Sequence, residues 1–425
     1  MNKTVIENAA IGEKYIYAEH ESGLKIYICP KEAYTSAYAM FGTRYGSIDT
    51  KFAVDGGRME EVPAGIAHFL EHKLFESEDG DAFTRYAKTG ASANAYTSFD
   101  RTCYLFSCSD RFEESFDILL DFVQSPYFTK ETVDKEQGII GQEIRMYDDS
   151  PSWRVLFNML EAMFQNHPVK IDIAGTVESI AEIDADLLYR CYNAFYNLGN
   201  MFICVAGKVD PDRLLEQIEK GLKPVHPVRV ERGRFEEKDG VLRPYVSQSF
   251  AVSVPLFCLG FKEKCERPER SLKEILSTEI LLELLIGPTS SLYEQLIEEG
   301  ALNANFDTEY FNGYGYAVPL LSGESTRPEA VRDAVFAEID RLRREGLDPA
   351  LFEAARRAKY GRSVMQFNNV ERIASGMVEA AMTGTGLFDD LAILQALTLE
   401  DVAARLETLK AENAVLSVVS GTGAK

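Results

Sequence analysis

Basic residues are scarce in this chain: 45 lysines and arginines stand against 67 aspartates and glutamates, a net charge of −22 over 425 residues. A surface of that sign repels phosphate backbones, so nucleic acid is excluded as a partner. Acidity of this kind serves solubility, or it lines a chamber that attracts basic peptides. Cysteine pairs are missing as well. The seven cysteines are odd in number and none has Cys-x-x-Cys spacing, and most sit in apolar runs such as Ile28-Cys29, Phe202-Ile203-Cys204 and Leu256-Phe257-Cys258. They read as reduced core residues, which excludes a disulfide framework and a thiolate zinc site. No run of 18 apolar residues exists, and the first eight residues, Met1 to Asn8, carry no apolar signal segment. The expectation is a cytoplasmic protein with no membrane partner. No Gly-x-Ser-x-Gly is present, so a serine nucleophile has no support.

Histidine is rare too, with five in the chain, and two of them fall four residues apart in Gly65-Ile-Ala-His-Phe-Leu-Glu-His-Lys-Leu-Phe75. At about 100° per residue, His68, Glu71 and His72 share one sector of a helix. Ile66, Leu70 and Leu74 lie opposite and can anchor that helix in a core. Two imidazoles with a carboxylate beside them suit a zinc ion with a base at its side.

The length implies two domains. Leu24–Cys29, Tyr34–Phe41, Ala93–Thr97 and Cys103–Ser107 read as strands, alternating with helical patterns at Ala64–Phe75, Asp81–Lys88 and Phe112–Val123. Helices at Lys130–Met146, Trp153–Phe164 and Asp184–Phe195 follow, then a buried strand at Met201–Gly207. Composition changes over Lys223–Arg243, where charges and prolines break the periodicity. The second half repeats the order: a strand at Ser249–Leu259, helices at Leu272–Leu285 and Ser290–Glu298, strands at Asn303–Tyr310 and Tyr314–Leu321, further helices, and a closing strand at Ala414–Val419. The predicted fold is α+β, two similar domains, each an antiparallel-rich mixed sheet covered by helices. The domains are placed at residues 1–228 and 246–425, joined by a linker at 229–245, and the histidine motif is not repeated.

Two histidines do not complete a catalytic zinc site, which ordinarily has three protein ligands. His20 and His226 lie in polar contexts and His167 precedes Pro168 in a loop, so a carboxylate is the expected third ligand. Glu136 and Glu143 are seven apart, within about 20° on one helix face, beside the apolar stripe Val133, Ile140 and Ile144. A carboxylate at the edge of a buried surface is costly unless a cation is near. A solvated glutamate pair on an ordinary helix is the alternative.

With these motifs in hand, the chain resembles the inverse zinc peptidases of the pitrilysin/insulinase family, whose signature is H-x-x-E-H. His68-Phe-Leu-Glu71-His72 matches the metal motif and Glu136-x6-Glu143 the downstream glutamates. Gly90-Ala-Ser-Ala-Asn94-Ala-Tyr-Thr97 matches the substrate-binding strand. Gly175-Thr176 and Asn200 to Gly207 match the later framework of the first domain. The resemblance implies that His68, His72 and Glu143 hold one zinc per chain, with Glu71 as general base and Glu136 supporting the site. It also implies that the edge strand carrying Asn94, Ala95, Tyr96 and Thr97 pairs with an extended peptide substrate.

The resemblance is incomplete in the second half. The family places an arginine and, seven residues on, a tyrosine after a pattern like Ser290-Ser-Leu-Tyr-Glu-Gln-Leu296; here those positions hold Ile297 and Ala304. The likeness is to two-domain members that work as pairs. A metal-less homologous subunit carrying the arginine–tyrosine pair is therefore expected as a partner in a heterodimer, with a homodimer as the alternative. The implied activity is zinc-dependent hydrolysis of short or unfolded peptides inside a two-subunit chamber. A peptide-maturation or assembly factor with a narrow processing role, and a non-catalytic structural subunit, are the competing functions.

Overall fold

The computed structural model describes residues 1–78 and 80–421. The chain forms two compact α+β units. The first comprises Met1–Ile144, Asp172–Gly233 and Val364–Asp389; the second comprises Arg145–Ile171, Arg234–Ser363 and Asp390 onward.

In the first unit seven strands form one sheet. Their order is Asn2–Asn8, Glu13–Glu19, Lys25–Pro30, Met201–Gly207, Ala37–Thr43, Thr102–Cys108 and Ser92–Thr97. Only Lys25–Pro30 and Met201–Gly207 run parallel to each other; every other neighbouring pair is antiparallel. The central strands are apolar at nearly every position because both faces of the sheet are covered. Alternate residues serve two cores. Ile26, Ile28, Phe41, Tyr104, Phe106, Ile203 and Val205 join the core beneath the helices Ile66–Leu74 and Phe112–Val123. Tyr27, Cys29, Met40, Cys103, Leu105, Phe202 and Cys204 face the other way, against the helix Val370–Thr383. The cysteines are all free and, Cys265 aside, buried, as their apolar contexts predict.

The second unit has five strands in the order Tyr245–Phe250, Ala414–Gly421, Leu256–Phe261, Tyr316–Glu324 and Asp307–Gly313. Again one pair is parallel, Tyr245–Phe250 with Ala414–Gly421. One face carries Phe257, Leu259, Phe261, Leu416 and Val418 into a core shared with the helix Leu272–Ile286. The helix Pro151–Met163 lies on the other face and approaches so closely at Gly260 that a Cβ there would sit 2.3 Å from Met159 Sδ.

The units do not follow the contiguous division at residues 229–245. The back of the first sheet is covered by a helix from late in the chain, Val370–Thr383, and the back of the second by one from the first half, Pro151–Met163. Amphipathic helices report that they bury a face, not which sheet they bury it on. Other differences are local. The strand expected at Ser249–Leu259 is two, broken around Pro255, where the ring removes a backbone donor. The strand expected from Asn303 begins at Asp307. Asn2–Asn8 and Glu13–Glu19 form an outer hairpin whose polar first strand gives little periodic signal.

Candidate metal centre

The helix Ile66–Leu74 is buried almost all round: His68, Phe69, Leu70, Glu71 and Lys73 are all inside, and only His72 is half-open. Its start is held by a reciprocal glycine contact. Gly65 has φ +89°, and a Cβ on it would meet the Ala174 carbonyl at 2.3 Å; a Cβ on Gly175, at φ +77°, would meet the Ala64 carbonyl at 2.5 Å. Glycine satisfies both the left-handed backbone and the close approach. Thr176 caps the next short helix in a capping box with Ser179, whose hydroxyl donates to the Ala64 carbonyl at 2.8 Å. Gly175-Thr176 thus secures the entry to the histidine helix.

On that helix His68 and His72 lie one turn apart, their rings 4.6 Å between centroids. The helix Lys130–Asp148 is anchored by Val133, Ile140 and Ile144 and carries Glu136 and Glu143 to them. His68 Nε2 is 3.7 Å from Glu143 Oε1, and His72 Nε2 is 3.4 Å from Glu143 Oε2. His72 Nδ1 meets Glu136 Oε1 at 2.9 Å. Burial, and then the neighbouring His72, push the His68 imidazole down to about 3. A neutral His68 makes no ion pair with Glu143, so two lone-pair donors face each other. Burial pulls His72 down, but the Glu136 hydrogen bond and the carboxylates of Glu71, Glu136 and Glu143 outweigh it and raise its pKa.

Ligand atoms about 2.0–2.1 Å from zinc in a tetrahedron lie about 3.3–3.5 Å apart. The observed separations are close to that, and one ligand atom from each of His68, His72 and Glu143 falls within 4.8 Å of the others. The donor set therefore fits a zinc ion, with Glu136 orienting the His72 ring through its far nitrogen.

Glu71 turns to the other side of the pair. Its Oε2 accepts a hydrogen bond from the Thr97 hydroxyl at 2.6 Å, and Thr97 in turn contacts the Thr102 hydroxyl at 3.2 Å. Burial raises the Glu71 pKa and outweighs the lowering by Thr97. The carboxyl is thereby moved toward the range useful to a general base.

Ser92–Thr97 is the outermost strand of its sheet and pairs only with Thr102–Cys108 among the described residues. One row of its backbone groups is open to an added strand. Asn94 and Ala95 line a cleft of about 550 Å³ together with Glu71, His72 and Glu136. Thr97 is committed to Glu71. Tyr96 projects to the other sheet face, toward Cys103, so its side chain is not brought to the cleft. Sequence reasoning missed the cleft's apolar wall: Phe75 and Phe83 stack with ring centroids 4.4 Å apart, and Ile139 completes it. Phe83 is 45% exposed. The phenylalanine three residues after His72 was the available signal. Ile297 is the penultimate residue of the helix Ser291–Glu298 and Ala304 lies exposed in the following turn.

Comparison with known proteins agrees with this architecture. The model of the insulinase family (peptidase family M16) matches residues 49–177, and that of the peptidase M16 inactive domain matches residues 182–359. The chain belongs to the M16 peptidase family. It is 41% identical over 403 residues to a Bacillus subtilis (strain 168) protein described as "Uncharacterized zinc protease YmfH", covering 93% of this chain and 94% of that one. Among solved structures, one from Alicyclobacillus acidocaldarius described as a "putative M16-like peptidase" superposes with a TM-score of 0.93 at 36% identity, over 98% of this chain and 99% of that chain. A protease from Helicobacter pylori shares the fold, with a TM-score of 0.83 at 19% identity, over 96% and 99%. Among the described residues no single helix is long and apolar enough to cross a membrane.

Proposed function

We propose that this chain is the metal-bearing subunit of a zinc peptidase acting on short or unfolded peptides. The observation that carries the reading is the convergence of His68, His72 and Glu143 beside a buried Glu71 and an open sheet edge. His68, His72 and Glu143 would hold the ion. When bound, zinc polarises a scissile carbonyl and lowers the pKa of water toward about 7. The chain's own groups supply the remainder. The backbone of Asn94 and Ala95 takes the peptide as an added strand, which holds its amide extended across the histidines. Glu71, fixed by Thr97, removes a proton from the attacking water and returns it to the leaving amine. Phe75 and Phe83 offer an apolar surface to a side chain beside the cleaved bond and exclude water there.

Substituting Glu71→Gln tests this. The variant is expected to fold and to keep about one zinc per chain, while its turnover of quenched peptides falls at least about 10²-fold. Equal activity in variant and parent removes Glu71 from the mechanism.

The second half supports a paired enzyme. The side chains of Ile297 and Ala304 carry no donor for a substrate carbonyl, and an oxyanion donor is worth about 3 kcal/mol. The isolated chain is therefore expected to be weakly active, and a metal-less relative carrying an arginine–tyrosine pair to restore the rate. A normal rate from the chain alone, shown free of partner by mass spectrometry, replaces the heterodimer with a self-sufficient assembly.

A further inference from the structure

The second unit contains a cavity of about 540 Å³ whose walls include Lys262, Arg270, Arg405 and Lys410, within the size range of small-molecule sites. Its floor is a buried charge cluster. The Glu263 side chain, 2% exposed, accepts from Arg405 Nη2 and from the Tyr310 hydroxyl at 3.0 Å, and lies 3.2 Å from Arg270 Nη2. The two arginine side chains are only 8% and 12% exposed. Glu263 is the one carboxylate in direct contact with both guanidinium groups, and Glu274, on the cavity wall, acts on Arg270 from further off.

The donors of this cluster are not all satisfied. Arg405 uses Nε on the Thr278 hydroxyl at 2.8 Å and Nη2 on Glu263 and Tyr310. Arg270 uses Nη2 on the Lys264 carbonyl and Cys265 Sγ, and its Nε is buried with no partner. Among the described residues neither Nη1 donates a hydrogen bond, yet neither is sealed from solvent. Lys262 is the contrast: its Nζ is surrounded by Glu237 and the carbonyls of Met163, Lys238 and Gly240, a complete set that leaves nothing for a ligand. Lys410, exposed on the wall, has no ion-pair partner among the described residues. Glu266 and Glu407 also line the opening, and they disfavour an extended polyanion while leaving room for one anionic group.

We propose that this cavity binds a single small oxyanion, received by the free Nη1 groups of Arg270 and Arg405 with Lys410 above it. Guanidinium pairs suit the planar or tetrahedral oxygens of carboxylate and phosphate. Two sources supply that chemistry, free phosphate and the C-terminal carboxylate of a peptide. The site lies within the second unit and is independent of the peptidase reading.

The experiment measures thermal midpoint and calorimetric binding on the full chain, with a Glu71→Gln background so that added peptide stays intact. The probes are inorganic phosphate, a short peptide with a free C-terminus, the same peptide amidated, and sodium chloride at matched ionic strength. A saturable rise of at least about 3 °C is expected with phosphate or with the free-acid peptide, and none with the amide or chloride. Whichever of the two binds identifies the source. Lys410→Glu, at an exposed position, is expected to weaken binding at least about tenfold without loss of fold. Arg270→Gln is expected to abolish it where circular dichroism shows the variant folded. Absence of any saturable effect beyond chloride overturns the proposal. So does equal binding of acid and amide with none of phosphate, or binding undiminished in Lys410→Glu.

Discussion

The two units repeat one arrangement and use it differently. In each, a parallel pair sits beside antiparallel strands, and the last strand is an open edge: Ser92–Thr97 in the first, Asp307–Gly313 in the second. In each, a helix packs against that edge strand, Ile66–Leu74 in one case and Leu272–Ile286 in the other. The contrast lies in what joins that helix to the later helix beside it. In the first unit, His68 and His72 face Glu143 and Glu136. In the second, Glu279 pairs with Lys359 at 2.9 Å and Glu283 approaches Arg362 at 3.8 Å. The second arrangement neutralises itself. The first gathers lone pairs with too few protons to match, an arrangement that a bound cation would resolve. The scaffold is common to both; the chemistry belongs to the few residues set on it.

The sharpest way to break the comparison is His72→Ala. Two remaining ligands make a weak site, so zinc measured by elemental analysis should fall from about one per chain toward zero and peptide turnover should fall to background. Full zinc retention would show that the metal sits elsewhere.

A second variant tests the claim that charge in the other unit serves the fold. Glu237 accepts from the backbone N–H groups of Gln165, Asn166 and His167 and from buried Lys262. Burial opposes its charge, but these donors hold its carboxyl down at about 2. Glu237→Gln leaves the Lys262 ammonium buried without a counter-charge and should cost about 3 kcal/mol at pH 7, with zinc content unchanged. The sign follows from the depressed pKa. The stabilisation is complete above the ordinary carboxylate value of 4.5 and is lost as pH falls toward about 2. Urea midpoints of parent and variant should therefore converge on acidification below pH 4.5. A gap that widens on acidification contradicts this account.

Glu136→Gln sharpens the first unit with a smaller effect. The amide can still contact His72 Nδ1 but brings no charge, so zinc affinity in a chelator competition should weaken by about 10–100-fold. An unchanged affinity would reduce Glu136 to a bystander.

Much of this was legible along the chain because it is local. The interval of four between His68 and His72 reports one helix face, the interval of seven between Glu136 and Glu143 reports another, and the apolar runs around Cys29, Cys103 and Cys204 report buried strands. The rest depends on partners that periodicity cannot name. Tyr96 and Thr97 are adjacent on one strand, yet the pleat sends Thr97 to Glu71 and Tyr96 to the opposite face. The helix Pro151–Met163 matches the expected Trp153–Phe164 and Val370–Thr383 falls among the further helices expected late in the chain, but each covers the sheet that a contiguous division would assign to the other half. The polar strand Asn2–Asn8 is held by its pairing with Glu13–Glu19, a signal that exists only once the two are side by side.

By itself the sequence determined which residues share a helix face, which strands are apolar throughout and which sign of charge the chain carries. These follow from bond geometry and composition, and they needed no knowledge of distant contacts. Only the tertiary structure decided that Glu143 reaches both imidazoles, that the Thr97 hydroxyl fixes Glu71, and that Arg270 and Arg405 keep donors unused in a cavity of the second unit. Those are meetings between segments far apart in the chain. They are set by how helices and sheets pack to bury apolar surface, so the atoms that carry the chemistry are positioned by residues that take no part in it.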